Sequence, residues 1–339
     1  MKNRLTIFQG FWASFVMGLC PLAVLADDSA QVWLERMQLA VDEINYQGTL
    51  VHMTPGHAEQ FRIYHRVDGE DTTERLVLVD GEGAEIIRTR DEVICIFPNK
   101  QSVVVESRQT SHVSSGPLRA NLPAFSEALL EHYELSSLAD DRVAERSAVV
   151  IAISPRDQYR YGYRLWLDQE TAMPLKSQLI GEDESMPLEE IRFISISLPD
   201  QVSSEAVQSA IDTTSFHVAR HQKAPRQRKD DGEVIVWRAR EVPPGFMLSV
   251  ARFEYMEGDS NNPRMHLVYT DGLASVSVFM DIGVAASEQA EGLSMMGAAS
   301  VFSVMNEGWL VTAMGEVPPR TVERIAVSMT ADLVAFQQP

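Results

Sequence analysis

The sequence of 339 residues contains few cysteines and few basic residues. Its two cysteines, Cys20 and Cys95, are too few for a disulfide scaffold or a cysteine-rich metal site. Acidic residues outnumber basic residues 48 to 29, which gives a net charge of −19. A surface of this sign repels phosphate backbones, so the composition disfavours nucleic-acid binding. The hydrophobic fraction of 45% is typical of a soluble globular chain with one or two domains.

Motifs of the common enzyme classes are also missing from the sequence. It has no glycine-rich phosphate loop, no Gly-x-Ser-x-Gly turn and no His-Glu-x-x-His pair. His52, His57 and His65 lack the spacing of a metal site, and we interpret them as surface histidines. Cys95 lies among apolar neighbours, which favours an unreactive strand residue. We therefore expect a protein that is not an enzyme and that has no cofactor or metal, although a hydrolase with an unrecognised site stays open.

Residues 1–26 have the features of a cleavable secretory signal peptide. Lys2 and Arg4 precede an apolar run that ends in small residues at Ala26. A membrane anchor and lipidation at Cys20 are the alternatives. Glycine and proline interrupt the run, and a leucine precedes Cys20 where a lipoprotein signal has a small residue. The mature chain would then begin at Asp27, in the periplasm, with 27 basic against 48 acidic residues and a net charge of −21.

The mature chain is predicted to begin with an amphipathic helix that is followed by a meander of strands. Trp33, Met37, Ala40 and Ile44 recur at helical spacing on one face of residues 29–44. Short runs of β-branched and aromatic residues, separated by turn signals, then predict antiparallel strands. These runs are residues 49–52, 61–64, 76–79, 85–88, 93–97 and 103–105.

A helical insertion is predicted at residues 123–133, and more strands follow it. They cover residues 148–154, 159–168, 175–180 and 191–197. The strand at 159–168 alternates so that Tyr159, Tyr161 and Tyr163 share one face. The acidic run Gly181-Glu182-Asp183-Glu184 and the pair Glu189 and Glu190 lack the pattern of a calcium loop, and we interpret them as a solvated hairpin tip.

Residues 217–232 differ from the rest in being basic and poor in large apolar side chains, which favours an interdomain linker. The linker is either a solvated tether or a docking site for an acidic peptide or an anionic lipid headgroup. Strand-like runs and a helix that starts at Pro318 and Pro319 follow it. The sequence thus predicts a large domain at 27–216 and a smaller α+β domain at 233–339.

Several stretches, in order along the mature chain, resemble the RseB/MucB family of periplasmic sigma-factor regulators. In the first part they are Asn45-Tyr46-Gln47-Gly48-Thr49-Leu50-Val51, Arg62-Ile63-Tyr64-His65-Arg66 and Tyr163-Arg164-Leu165-Trp166-Leu167-Asp168. In the second part they are Pro244-Gly245-Phe246, residues 266–279 and Gly315-Glu316-Val317-Pro318-Pro319. Ala172 occupies a turn position where the family pattern leads us to expect glycine.

The resemblance implies an α+β, mainly antiparallel β fold. Its large domain would be a LolA-like curved half-barrel sheet with plugging helices, beside the smaller α+β domain. It also implies binding to the periplasmic domain of an anti-sigma factor of the RseA or MucA type, and protection of that domain from a site-one protease of the DegS or AlgW type. Lipid, lipopolysaccharide or mislocalised lipoprotein would cause the regulator to release the anti-sigma factor.

We expect the lipid cavity and the partner surface to lie in different domains. The aromatic and methionine side chains of the first helix and the tyrosine strand are the candidates for an acyl pocket, or else simply fill the core. They are Trp33, Met37, Tyr159, Tyr161 and Tyr163. The candidates for partner binding are Arg226, Arg228, Phe246, Arg252, Tyr269 and Phe279. A lipoprotein or lipid carrier of the LolA type is the alternative function, and a homo-oligomer stays open.

Overall fold

A computed structural model describes residues 29–79, 83–107, 122, 126–221, 234–256, 259–282, 291–306 and 308–334. The predicted signal peptide at 1–26 and residues 222–232 of the predicted linker lie outside the described residues. Arg226 and Arg228 therefore have no structural description here.

Helix α1 spans Ala30–Glu43, as the periodicity of the sequence predicts. The Ser29 hydroxyl caps its start by accepting a hydrogen bond from the Val32 amide. Helix α2 spans Pro319–Val327 and begins with a proline, whose missing N–H is not needed in a first turn. Two short 3₁₀ helices cover Pro98–Lys100 and Glu127–Glu131. None of the described helices is long and apolar enough to cross a membrane.

The larger sheet has twelve strands within the described residues. The strands are β1 Tyr46–Thr54, β2 His57–Asp68, β3 Asp71–Leu78, β4 Glu85–Arg88, β5 Glu92–Phe97, β6 Ser102–Ser107, β7 Tyr133–Val143, β8 Arg146–Pro155, β9 Gly162–Asp168, β10 Pro174–Ile180, β11 Glu189–Ser197 and β12 His217–His221. Their order in the sheet is β12-β6-β5-β4-β3-β2-β1-β11-β10-β9-β8-β7. Of the pairs that these strands form, only β12–β6 is parallel.

One face of this sheet, the inner face, carries α1. Trp33, Leu34 and Met37 of the helix pack against apolar side chains of β7, β8 and β9. The opposite, outer face of β2 to β6 is covered by the segment 198–216, which contributes buried Val202 and Val207. The guanidinium groups of two strand residues, Arg66 and Arg75, donate hydrogen bonds to backbone carbonyls of that segment and hold it on the sheet.

A second, separate core lies in the smaller domain. Its strands are β13 Val234–Ala239, β14 Met247–Met256, β15 Asp259–Thr270, β16 Ser275–Ile282, β17 Gly292–Met296, β18 Ala299–Asn306, β19 Trp309–Gly315 and β20 Met329–Val334. Six of them form a sheet in the order β14-β15-β16-β19-β18-β17, and β13 pairs with β20. Helix α2 packs against β18 and β19, with buried Val322, Ile325 and Ala326 in the core. The mainly antiparallel α+β fold with a curved sheet and a smaller domain is thus confirmed.

Three predicted element boundaries are wrong. The tyrosine strand begins at Gly162 and not at residue 159, so Tyr159 and Tyr161 precede it. The predicted helix at 123–133 is a 3₁₀ helix over Glu127–Glu131 where the chain is described. The first residues of the predicted linker, His217–His221, form β12 and pair with β6.

Two predictions of exposed polar residues are also wrong. His65 is buried, because its ring stacks on Tyr46 and its Nδ1 lies 3.0 Å from the Ile44 carbonyl oxygen. Glu189 and Glu190 are buried on β11, whereas the hairpin tip at 182–184 is exposed as expected.

Candidate functional site

A row of apolar side chains crosses the inner face from β2 to β6. The strand register places these residues opposite one another in the order Ile63, Leu76, Ile86, Cys95, Val104. Ile63 and Leu76 are fully buried, but the other three are half-buried. The row therefore runs from the core of the domain to a surface that is open in part.

Neighbouring side chains widen the open end of this row into an apolar strip. Phe61 lies opposite Leu78, and Phe97 lies on the same face of β5 as Cys95. All of them are half-buried. The apolar strip comprises Phe61, Leu78, Ile86, Cys95, Phe97 and Val104. Burial raises the pKa of the Cys95 thiol, which agrees with the predicted unreactive strand residue.

The predicted acyl-pocket residues do not line one common cavity. Trp33 and Met37 are buried in the core beneath α1, and Tyr163 packs against the edge of that core. Tyr161 contacts Leu179 and Ala298. Of the two predicted roles, filling the core therefore fits Trp33 and Met37 better than lining an acyl pocket. The sequence pattern did not predict the apolar strip.

Tyr163 borders a small cleft where the two domains meet. Ser177, Leu179, Glu189 and Ile191 of the large domain and Glu316 of the small domain line it as well. The cleft has room for about one water molecule and none for an acyl chain.

The cleft holds titratable groups from both domains. The His52 Nε2 and Glu189 Oε1 atoms are 2.8 Å apart, and this hydrogen bond raises the pKa of His52. Desolvation, followed by the charge of Glu189, raises the pKa of Glu316 to about 7. The Glu316 residue as a whole is exposed, so solvent screens these interactions.

Two of the predicted partner-binding residues are not surface residues. Phe246 and Tyr269 are each only 3% exposed and belong to the core of the small domain. The Tyr269 hydroxyl accepts a hydrogen bond from the Ala239 amide at 2.7 Å. The prediction that these two residues bind a partner is wrong, because both side chains fill this core. Tyr269 lies on the side of β15 that faces the core, since side chains alternate along a strand, and Phe246 precedes β14 and packs into the same core.

Phe279 and Arg252 lie on the face of the small sheet that points away from α2. The Phe279 ring stacks on His266 with centroids 4.4 Å apart, and the Arg264 guanidinium lies 5.4 Å from the Phe279 ring. Arg252 Nη2 is 3.4 Å from His266 Nδ1. Phe279 and Arg252 are half-buried.

A buried ion pair joins the two domains. Arg160 Nε, from the connection between β8 and β9, lies 3.1 Å from Asp271 Oδ2 in the small domain, and both side chains are 0% exposed. The sequence pattern does not indicate this pair, because Arg160 precedes the strand, which begins only at Gly162, and its partner lies in the other domain. Among the described residues, no group of three or more His, Cys, Asp or Glu side chains could hold a metal ion.

Comparisons with known proteins agree with the two-domain architecture. The family model of the MucB/RseB N-terminal domain matches residues 29–211, and that of the MucB/RseB C-terminal domain matches residues 232–330. The sequence is 32% identical over 322 residues to the sigma factor AlgU regulatory protein MucB of Pseudomonas aeruginosa, covering 93% of this chain and 95% of that protein. It is 28% identical over 308 residues to the sigma-E factor regulatory protein RseB of Haemophilus influenzae, covering 91% and 93%.

Solved structures of MucB with its partner are similar along nearly the whole chain. A complex of Pseudomonas aeruginosa MucA and MucB superposes with a TM-score of 0.70 at 29% identity, over 90% of this chain and 99% of that chain. A structure of MucB in complex with MucA(peri) gives a TM-score of 0.68 at 29% identity, over 90% and 100%. The relatives are named as regulatory proteins and not as enzymes. The family models cover both domains, and the chain belongs to the MucB/RseB family.

Proposed function

We propose that this protein is a periplasmic negative regulator of an envelope-stress sigma factor. It binds the periplasmic domain of a MucA- or RseA-like anti-sigma factor and shields that domain from regulated proteolysis. Binding of lipid, lipopolysaccharide or the acyl chains of mislocalised lipoprotein causes the protein to release the anti-sigma factor. The protein reaches the periplasm through the cleavable signal at residues 1–26.

The observation that carries the proposal is the similarity to MucA-bound MucB over both domains and not over the large domain alone. A protein that serves only as a carrier has no need for the second domain. The half-buried Phe279 and Arg252 give the small domain an aromatic and a cationic group for a partner.

The apolar strip supports the lipid part of the proposal. Phe61, Phe97 and their neighbours present half-buried apolar side chains on the inner face, whereas the core around Trp33 and Met37 is fully packed. Burying such a surface under an acyl chain is favourable by roughly 25 cal/mol per Å² of apolar area. A lipid can act on partner binding only if it prefers one of two protein states.

Partner binding is tested by calorimetric titration of residues 27–339 with the periplasmic domain of the host's anti-sigma factor. We expect saturable binding. We also expect the site-one protease to cleave the anti-sigma domain more slowly in the complex than in its free form. A titration without heat, together with separate elution of the two proteins in gel filtration, would refute it.

Lipid binding can be measured at the native thiol. Without the signal peptide, Cys95 is the single cysteine and lies in the apolar strip. Diacylated lipid should slow alkylation of Cys95 in the folded protein, and the corresponding deacylated lipid serves as control. Equal alkylation rates with both lipids would exclude acyl chains from the strip. Lipid binding without any anti-sigma binding would instead favour the carrier function.

A further inference from the structure

The side chain of Arg160 leaves the large domain and inserts into the small one. It lies on the connection between β8 and β9, and its guanidinium carbon is 5.5 Å from the Tyr133 ring and 5.3 Å from the Phe246 ring. Tyr133 belongs to the large domain and Phe246 to the small one. The cation is thus held between aromatic faces from both domains, an arrangement that is favourable when it is desolvated.

Asp271 receives this cation and is itself fixed by other groups. Its Oδ1 accepts hydrogen bonds from the amides of Leu273 at 2.9 Å and Ala274 at 2.7 Å. Its Oδ2 accepts a hydrogen bond from the Tyr133 hydroxyl at 3.1 Å. Burial raises the pKa of Tyr133, so this hydroxyl keeps its proton. Asp271 is therefore a pre-oriented acceptor that Arg160 and Tyr133 approach from the other domain.

A loop of the small domain closes around the same arginine. Arg160 Nη2 donates a hydrogen bond to the Pro244 carbonyl. The next residue, Gly245, has a φ of +82°, and a Cβ atom there would lie 2.1 Å from His132 Nε2 of the large domain. Only glycine permits this approach.

The residues on both sides of Arg160 also contact the small domain. Gln158 and Tyr159 contact helix α2, and Tyr161 contacts Ala298. The Thr321 hydroxyl donates a hydrogen bond to the Tyr159 carbonyl at 2.6 Å, and Arg324 donates one to the Tyr159 hydroxyl at 3.2 Å. Arg320 donates to Gln158. Four consecutive residues, Gln158 to Tyr161, thus contact the small domain.

The burial of both charges makes the loss of either partner costly. Breaking a buried pair by removing one partner leaves an uncompensated charge away from water, which is costly. The Arg160 Nε and Nη1 groups have no aligned hydrogen bond within the described residues. The charge of the Arg160 guanidinium is therefore balanced by two carboxylates, those of Asp271 and of Asp157, whose Oδ2 atom lies 3.5 Å from Arg160 Nη1. Separation of the domains would have to hydrate both charges.

We propose that residues 158–161 form an interdomain latch, and that Arg160 is a positioning residue which fixes the small domain in the orientation that binds the anti-sigma factor. The second part rests on the proposed function. The latch itself does not.

The test compares Arg160→Met with Arg88→Met in the full mature chain. Arg88 is a matched control, since it forms a buried pair with Glu74 inside the large domain. Small-angle scattering measures the radius of gyration, and calorimetry measures affinity for the anti-sigma periplasmic domain. Arg160→Met should enlarge the radius of gyration and weaken binding about tenfold or more. Arg88→Met should leave both unchanged at a temperature where it is folded.

Asp271→Asn is the second variant, for the case in which Arg160→Met does not fold. The double variant Arg160→Met/Asp271→Asn should be no worse than either single variant, because the two residues act as one unit. An unchanged radius of gyration in both single variants would overturn the latch. An enlarged radius with wild-type affinity would overturn the positioning role. If the wild-type protein does not bind the anti-sigma domain, the proposed function fails, and scattering alone still decides the latch.

Discussion

Glu189 of the large domain bonds to the His52 ring at 2.8 Å and also faces Glu316 of the small domain across the cleft. The carboxylates of Glu189 and Glu316 repel each other, while His52, when protonated, attracts both. Glu59 adds a further negative charge beside His52. We therefore expect contact between the domains to be sensitive to protonation at this point.

The charges in this cleft should make the contact between the two domains more stable in mild acid than at alkaline pH. The pKa of Glu316 is raised from 4.5 to about 7 in the folded state, so its contribution is fully present below pH 4.5 and is lost as the pH rises through 7. The pKa of His52 is also raised, and its contribution is lost in the same direction above its ordinary value of 6.5. Glu316→Gln should therefore raise Tm by about 2 °C near pH 8 and have little effect near pH 4.5.

Thermal unfolding at several pH values measures this difference. Glu184→Gln is the matched control, because Glu184 is an exposed acid of the nearby hairpin tip. Its effect on Tm should not follow the same pH profile. A Glu316→Gln effect that is constant from pH 4.5 to 8 would contradict the account.

The apolar strip should be the part of the surface that takes up acyl chains. Phe97→Ser removes an aromatic ring from the strip, whereas Ile194→Ser removes an exposed apolar side chain from β11. We expect Phe97→Ser to weaken binding of a diacylated lipid several-fold, since about 1–2 kcal/mol of apolar burial is lost. Ile194→Ser should bind as the wild type does. Equal affinities of the two variants in a lipid-binding titration would place the lipid elsewhere.

The basic linker should contribute to partner binding through long-range charge. Replacing Arg226 and Arg228 with Ser should weaken anti-sigma binding more at low salt than at high salt, because salt screens such attraction. Arg90→Ser with Lys100→Ser makes the same change in net charge on the large domain. Calorimetry at two salt concentrations compares the pairs. An equal salt dependence in both would show that the linker is a solvated tether.

Ala172 has a φ of +61°, which explains why glycine is expected in this turn. Ala172→Gly should relieve backbone strain that offsets the loss of a buried methyl group. Ala148 is the control, as it is equally buried but lies in a regular strand. Urea unfolding should show Ala148→Gly to be about 1 kcal/mol more destabilising than Ala172→Gly. Similar losses in the two variants would contradict a strained turn.

Local periodicity was sufficient to predict α1, most strands and the two-domain order. It failed where the answer depends on tertiary contacts. Tyr269 has the same sequence pattern as an aromatic strand residue whether it faces the core or solvent, and Phe246 precedes a strand, so only the structure shows that both are buried. Arg160 looks like a solvated charge until Asp271, more than a hundred residues away in sequence, is brought against it.

The same limit applies to the lipid site. Trp33 and Met37 have the helical spacing of a buried stripe, and that pattern does not distinguish a packed core from a pocket. The apolar strip could have been suspected from the alternation in β2 to β6. The strip is half-exposed because α1 packs over β7 to β9 and does not cover β2 to β6. No local sequence pattern contains that information.

The most direct test of the whole account is a competition experiment by fluorescence anisotropy. A labelled anti-sigma periplasmic domain is bound to the mature protein, and lipopolysaccharide or a diacylated lipid is added. The account predicts that anisotropy falls to the value of the free domain in the wild type, and that Phe97→Ser requires more lipid for the same fall. A complex that binds lipid and keeps the anti-sigma domain fully bound would contradict lipid-controlled release.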